Sequence, residues 1–193
     1  MNQPRSSKRS MSTMSLACCA LFAAISIIMA RLLSYAPFGS VRWSLDKFPL
    51  FLAGMLFGPL AGAMTGFVAD ATGSMMQYGF NPLLCLPAIL FGVFGGIFRQ
   101  WLRRKPILPK LSVSYLIPVA LGAWLYQSWA LAYCFNSATL QKAFVANLIS
   151  RGIQFSVLAP MEIAIIWLLL GTKLFNRMGL WNPIQKEDKK DEC

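Results

Sequence analysis

The sequence predicts an all-α integral membrane bundle of six transmembrane helices with both termini in the cytoplasm. Three observations carry this. Apolar residues make up 56% of the 193-residue chain and charged residues 13%, where a soluble domain carries roughly a quarter charged residues. The apolar residues gather into stretches approaching the about 20 residues that a bilayer core requires. The basic residues lie mostly between and beyond those stretches. A net charge of +11 raises nucleic acid as a partner, but no basic patch interleaved with aromatics forms a soluble surface, and membrane orientation accounts for the charge. The chain is therefore expected in the cell membrane as a multi-pass protein, in contact with lipid and with no nucleic-acid partner.

The first segment runs from about Met14 to Leu33. Arg5, Lys8 and Arg9 before it imitate a signal peptide, but the apolar run is too long and lacks a small-residue cleavage site in a polar context, so a retained helix is expected. The second, Lys47 to Phe57, is short for a core of about 30 Å unless residues from Val41 extend it. Phe57-Gly58-Pro59 makes a tight joint, Gly ending one helix and Pro starting the next. The third runs from Pro59 to Gln77, the fourth from Pro82 to Phe98, the fifth from Val113 to Cys134 and the sixth from Phe144 to Leu170. Domain organisation follows: a basic cytoplasmic tail over 1–13, the six-helix transmembrane bundle over 14–176, and a charged cytoplasmic tail over 177–193. The stretch from Gln185 to Cys193 has the composition of a disordered segment.

Orientation follows from the cations. Placing the N-terminus inside puts Arg5, Lys8, Arg9, Arg99, Arg103, Arg104, Lys105, Lys110, Lys173, Arg177, Lys186, Lys189 and Lys190 on the cytoplasmic side, 13 of 18. Arg31, Arg42, Lys47, Lys142 and Arg151 remain at the outer ends. An even number of helices with this bias puts both termini inside.

Enzyme chemistry has little to work with. The chain has no His and its five cysteines form no CxxC pair, so zinc-ligand spacing is absent. Gly171-Thr172-Lys173 lacks the upstream glycine of a P-loop, and neither HExxH nor GxSxG occurs. Asp70 and Glu162 are the acids expected inside the bundle, and they form no paired-carboxylate site. No metal, no cofactor and no catalytic residue are expected.

Polar groups inside a membrane helix must face the bundle or a wet cavity, because lipid does not solvate them. In the sixth segment Asn147, Arg151, Gln154 and Glu162 fall within about 80° of one another at 100° per residue. Arg151 has two readings: an interfacial arginine that snorkels, or a guanidinium that clamps an anionic group bidentately. Its neighbours on the stripe favour the clamp, and Glu162, deeper, reads as a structural group paired across the bundle. In the third segment Gly62, Gly66 and Asp70 recur every fourth residue, the glycines as packing positions. Asp70 calls for a cation, with Arg31 or Arg151 the natural partner. The outer loops hold Arg31, Tyr35, Arg42, Trp43 and Lys47, then Tyr78, Gly79, Phe80, Asn81 and Pro82. They fit an interfacial aromatic belt or, equally, the walls of a pocket for a flat ring with acidic substituents. Ala17, Ala20 and Ala24 in the first segment suit either packing within the bundle or a smooth face for another membrane subunit.

The run from Phe48-Pro49-Leu50 through Gly58-Pro59-Leu60-Ala61-Gly62 to Ala69-Asp70 resembles the substrate-binding S components of energy-coupling factor (ECF) vitamin transporters, the folate-type family most closely. Ala30-Arg31-Leu32-Leu33, Phe80-Asn81-Pro82, and Arg151 followed by Leu158-Ala159-Pro160-Met161-Glu162-Ile163 are similar to that family too. The chain departs from it after the third segment, passing from Gln77 straight to Tyr78-Gly79-Phe80-Asn81, where folate-type members often have a longer loop. The resemblance implies a six-helix fold with an outward-opening pocket, a transmembrane coupling protein and two cytoplasmic ATPases as partners, and Ala20 and Ala24, with Ala17, as the docking face for the coupling protein. It implies folate as ligand, its ring between Trp43, Tyr78 and Phe80 and its carboxylates on Arg31, Arg42 or Arg151. Asn81, Asn147 and Gln154 would read the ring edges, with Asp70 orienting the basic site. Another micronutrient (a queuosine precursor, pantothenate or thiamine) or a non-transport assembly role stands as the alternative.

Overall fold

A computed structural model describes residues 13–32, 44–76, 79–103, 107–135 and 140–172, and the structural statements below concern those residues. All their regular structure is helical: α1 (Thr13–Leu32), α2 (Lys47–Phe57), α3 (Pro59–Met75), α4 (Pro82–Ile97), the single turn α5 (Arg99–Leu102), α6 (Ile107–Pro118), a π-helical segment (Val119–Tyr126), α7 (Gln127–Phe135) and α8 (Leu140–Gly171). Three stretches are long and apolar enough to cross a membrane: Thr13–Arg31, Leu108–Cys134 and Gln141–Gly171. The helices Lys47–Phe57 and Pro82–Ile97 are apolar but shorter. Of the two predicted tails, only Thr13 falls among the described residues.

Each apolar segment of the sequence is found as a helix, with two starts displaced. The fifth begins at Ile107, not Val113, and the sixth at Leu140, not Phe144. Lys110 is the reason the fifth reads short. Its charge belies a helix interior, yet its Nζ stands 5.9 Å from the centre of the Trp101 ring, a cation–π arrangement that accommodates the ammonium. Lys142 in the first turn of α8 is exposed, so it too is compatible with a helix.

At 1.5 Å per residue the 11 residues of α2 reach only about 16 Å, and every residue from Phe48 to Leu56 is buried. The helix is enclosed by α1, α3, α4 and α8, so it shows no polar face. Glycines let the neighbours close on it. A Cβ on Gly54 would stand 1.9 Å from the Gly92 carbonyl oxygen, and one on Gly92 would stand 2.1 Å from that of Gly62. Backbones of α2, α3 and α4 therefore touch directly, as small residues four apart permit. Gly58, at φ 107°, turns the chain between α2 and α3, a conformation costly for any residue with a Cβ. Its N–H bonds the Gly54 carbonyl at 2.8 Å.

Candidate functional site

The polar centre of the bundle gathers at the N-terminal end of α2. Asp46 occupies the N-cap position, where a carboxylate ordinarily accepts from the first-turn amides and adds about 1 kcal/mol, but its side chain makes no capping bond. Instead Oδ2 accepts from Lys47 Nζ at 2.7 Å and Oδ1 accepts from Ser44 Oγ at 2.7 Å. Its backbone carbonyl accepts from Ser26 Oγ of α1 at 2.8 Å. The Asp46 and Lys47 side chains are each only 13% exposed. Lys47 also lies in the fields of Asp70 on α3 and Glu162 on α8.

Below this pair, Tyr115 of α6 donates to Glu162 Oε2 of α8. Both are almost wholly buried, at 0% and 1% exposure, and Glu162 Oε1 has no hydrogen-bond partner. The Tyr115 ring meets Phe51 of α2 edge-on at 5.2 Å and Phe91 of α4 at 5.6 Å, spacings at which aromatic pairs attract. The expectation that Glu162 pairs across the bundle thus has Tyr115 as its partner.

Arg151 points into the bundle. Its Nη1 donates to the Ala123 carbonyl at 3.5 Å, and it lies within the field of Asp46. The acceptor exists because of the π segment. Pro118 has no N–H to continue the α-helical ladder, and at the segment's end the Gln127 N–H bonds Gly122, five residues back. Where that register reverts to four, one carbonyl loses its amide, and Ala123 sits at the switch. Trp124 Nε1, donating to the Leu148 carbonyl at 2.8 Å, pins the same segment to α8.

Of the stripe read from the sixth segment, Gln154 and Glu162 are buried while Asn147 and Arg151 are half-buried. Asp70 is partly buried on α3, and the cation whose field it shares is Lys47. Arg31 reaches α3 one turn further on, its Nη2 3.7 Å from where a Cβ of Gly73 would stand, with Nε buried and unpaired. Phe80 is 46% exposed and meets Phe67 edge-on at 6.3 Å. The Asn81 side chain caps α4, Oδ1 accepting from the Leu83 N–H at 3.1 Å and Nδ2 donating to Cys134 Sγ at 3.3 Å. Arg42, Trp43 and Tyr78 lie outside the described residues. Ala17, Ala20 and Ala24 are all exposed, while Cys19, Ala23 and Ser26 on the other side of α1 are buried.

Sequence reasoning missed Asp46 altogether and grouped Lys47 with the outer-loop cations. The available signal was an oppositely charged pair at the start of an apolar helix too short to carry it to the interface. Asp46 therefore joins Asp70 and Glu162 as an acid inside the bundle. An apolar groove of about 350 Å³ between the π segment and α8, lined by Leu116, Val119, Trp124, Phe155 and Ala159, offers no charge to a polar ligand. Among the described residues no group of three His, Cys, Asp or Glu is placed to hold a metal ion. Fixed cations, carboxylates and hydroxyls inside an apolar bundle are suited to holding a charged solute by complementary charge.

Comparison with known proteins gives the family and the fold. Residues 14–178 match the family described as the ECF transporter, substrate-specific component. Among solved structures, the crystal structure of FolT bound with folic acid shares the fold with a TM-score of 0.68. The identity is 22%, covering 83% of this chain and 95% of that one. No curated protein matches the sequence.

Proposed function

Since the chain belongs to the family of ECF transporter substrate-specific components, and is thus a membrane protein, we propose that it captures folate at the outer face of the cell membrane. The reading places six spans across the membrane with both termini in the cytoplasm, as the distribution of cations favours. Energy for import comes from partners, a transmembrane coupling protein and two cytoplasmic ATPases, with the exposed Ala17, Ala20 and Ala24 face of α1 as the docking surface.

In this reading Arg31 and Arg151 clamp the glutamate carboxylates of folate. Phe80, with Trp43 and Tyr78, walls the pterin ring, Arg42 adds positive charge at the mouth, and Asn147 and Gln154 read the ring's polar edges. Asp70 and Lys47 hold the charge of the site in balance. One observation carries the reading: the Arg151 guanidinium is turned inward, to the Ala123 carbonyl and the field of Asp46. An arginine placed there without an anion to meet would be a costly feature of a membrane helix. The folic acid bound to the structural neighbour supports the choice of ligand.

The test is folate binding by the purified protein and by Arg151→Ala and Arg31→Ala. Truncating one partner of a buried charge pair typically costs about 2–5 kcal/mol, so each variant should lose at least about 30-fold in affinity. Wild-type affinity in both variants would overturn the clamp. Mass spectrometry of the co-purified small molecule identifies the ligand directly, and thiamine, pantothenate or a queuosine precursor in place of folate would reassign it.

A further inference from the structure

Asp46 stands where an anionic ligand has reason to go. Both of its carboxylate oxygens are taken by side-chain donors, Lys47 Nζ and Ser44 Oγ, each at 2.7 Å. It forgoes the capping bonds of its own helix to make them. The ion pair is largely buried, so its attraction is little screened by solvent. Arg151 of α8 lies within the field of that carboxylate and holds the Ala123 carbonyl at the long distance of 3.5 Å. A cation and a hydroxyl thus hold one internal carboxylate, and a second cation, Arg151, lies in its field.

We propose that Asp46 is an internal stand-in for the ligand's carboxylate, which an anionic ligand must displace from Lys47 and Ser44 in order to bind, so that Asp46 sets which anions the site accepts. The inference rests on the anionic-vitamin reading above and adds its specificity device. A carboxylate replacing a carboxylate keeps an anion on Lys47, and the displaced Asp46 side chain has the uncapped first-turn amides of its own helix to turn to. A neutral ligand cannot make that exchange, because it would strand a buried ammonium and a hydroxyl without their acceptor. The site is therefore closed to uncharged ring compounds. A ligand with two carboxylates, one for Arg151 and one for Lys47, gains over a ligand with one.

The experiment compares wild type with Asp46→Asn, which keeps the size and one acceptor oxygen but removes the charge. Folate affinity should rise about tenfold in the variant, because a neutral amide oxygen competes for Lys47 less well than a carboxylate. Free L-glutamate should raise the melting temperature of Asp46→Asn and leave that of wild type unchanged, since the vacated cations accept a small carboxylate. A second measurement uses the unaltered protein: carboxyl-group footprinting read by mass spectrometry should label Asp46 more strongly once folate is bound. Folate affinity equal to or below wild type in Asp46→Asn, with no glutamate effect, would show a purely structural ion pair and overturn the proposal. Should the variant fail to fold, protection or unchanged labelling of Asp46 on folate binding to wild type does the same. Wild type that binds no folate defeats the vitamin reading itself, and the glutamate arm then still decides whether Asp46 fills an anion site.

Discussion

Tyr115 of α6 donates a hydrogen bond from its phenolic O–H to Glu162 of α8 in the buried centre of the bundle. The bond ties α6 to α8, and the same Tyr115 ring packs on Phe51 of α2 and Phe91 of α4. One side chain therefore joins four helices, through a hydroxyl on one side and ring edges on the others. Tyr115→Phe keeps the ring contacts and removes only the hydroxyl, so Glu162 Oε2 loses its phenolic donor. A buried acceptor stripped of its donor costs about 1–3 kcal/mol, and at about 2–4 °C per kcal/mol for a chain of this size the melting temperature in detergent should fall measurably. Glu162→Gln keeps an acceptor for Tyr115 and discards the buried charge, so it should melt above Tyr115→Phe. The reverse order would mean that charge, and not the hydrogen bond, holds the helices.

The backbone contact between α3 and α4 makes a sharper prediction. A methyl on Gly92 would fall 2.1 Å from the Gly62 carbonyl oxygen and 2.3 Å from its carbon, so two helices must separate to admit it. Gly92→Ala should lower stability by at least the about 1–3 kcal/mol typical of overpacking, seen as lost expression or as aggregation on size exclusion. Gly171→Ala, with nothing within 4 Å, should behave as wild type. Equal behaviour of the two would mean that α3 and α4 are further apart than described.

Much of this architecture was legible because its boundaries are chemical. Gly58-Pro59 ends α2 and starts α3 at the residues the sequence marks, and Asn81-Pro82 does the same for α4. The start of α6 was not legible, because Lys110 reads as a loop residue until Trp101 is seen beneath it. In the site, Arg151 was found by helical phase, since its companions Gln154 and Glu162 recur along one face. Asp46 and Lys47 escaped that logic: they are adjacent in sequence, and a period argument cannot place neighbours on one face. Nor does the sequence mark Tyr115 as the partner of Glu162, 47 residues away, or Ala123 as the acceptor for Arg151. That acceptor depends on a π segment for which Pro118 is the only hint.

Asn81 separates a structural from a recognition role. Its carbonyl oxygen accepts from the Leu83 N–H and its amide donates to Cys134, so both ends of the side chain are in use. Asn81→Ala should cost about 1 kcal/mol, as loss of an N-cap does. Asn81→Asp, which caps equally well, should restore the melting temperature. If folate affinity follows stability across the two variants, Asn81 only positions the start of α4. An affinity lost in Asn81→Asp while the melting temperature holds would give the amide a direct part in reading the ring.

The exposed alanine face of α1 allows binding and delivery to be separated. Ala17, Ala20 and Ala24 face outward while Cys19, Ala23 and Ser26 pack inward, so larger side chains at Ala20 and Ala24 meet no neighbour within the described bundle. Exposed substitutions of this kind usually change stability by less than about 0.5 kcal/mol. Ala20→Leu with Ala24→Leu should therefore leave the melting temperature and folate affinity as they are. Close approach of another helix is another matter, because two backbones that meet over alanine are held apart by leucine. Co-purification with the coupling protein and ATPases, and uptake by cells, should both be lost. Uptake that survives the double substitution would place the docking surface elsewhere on the bundle, and loss of folate binding along with it would show that α1 shapes the pocket as well.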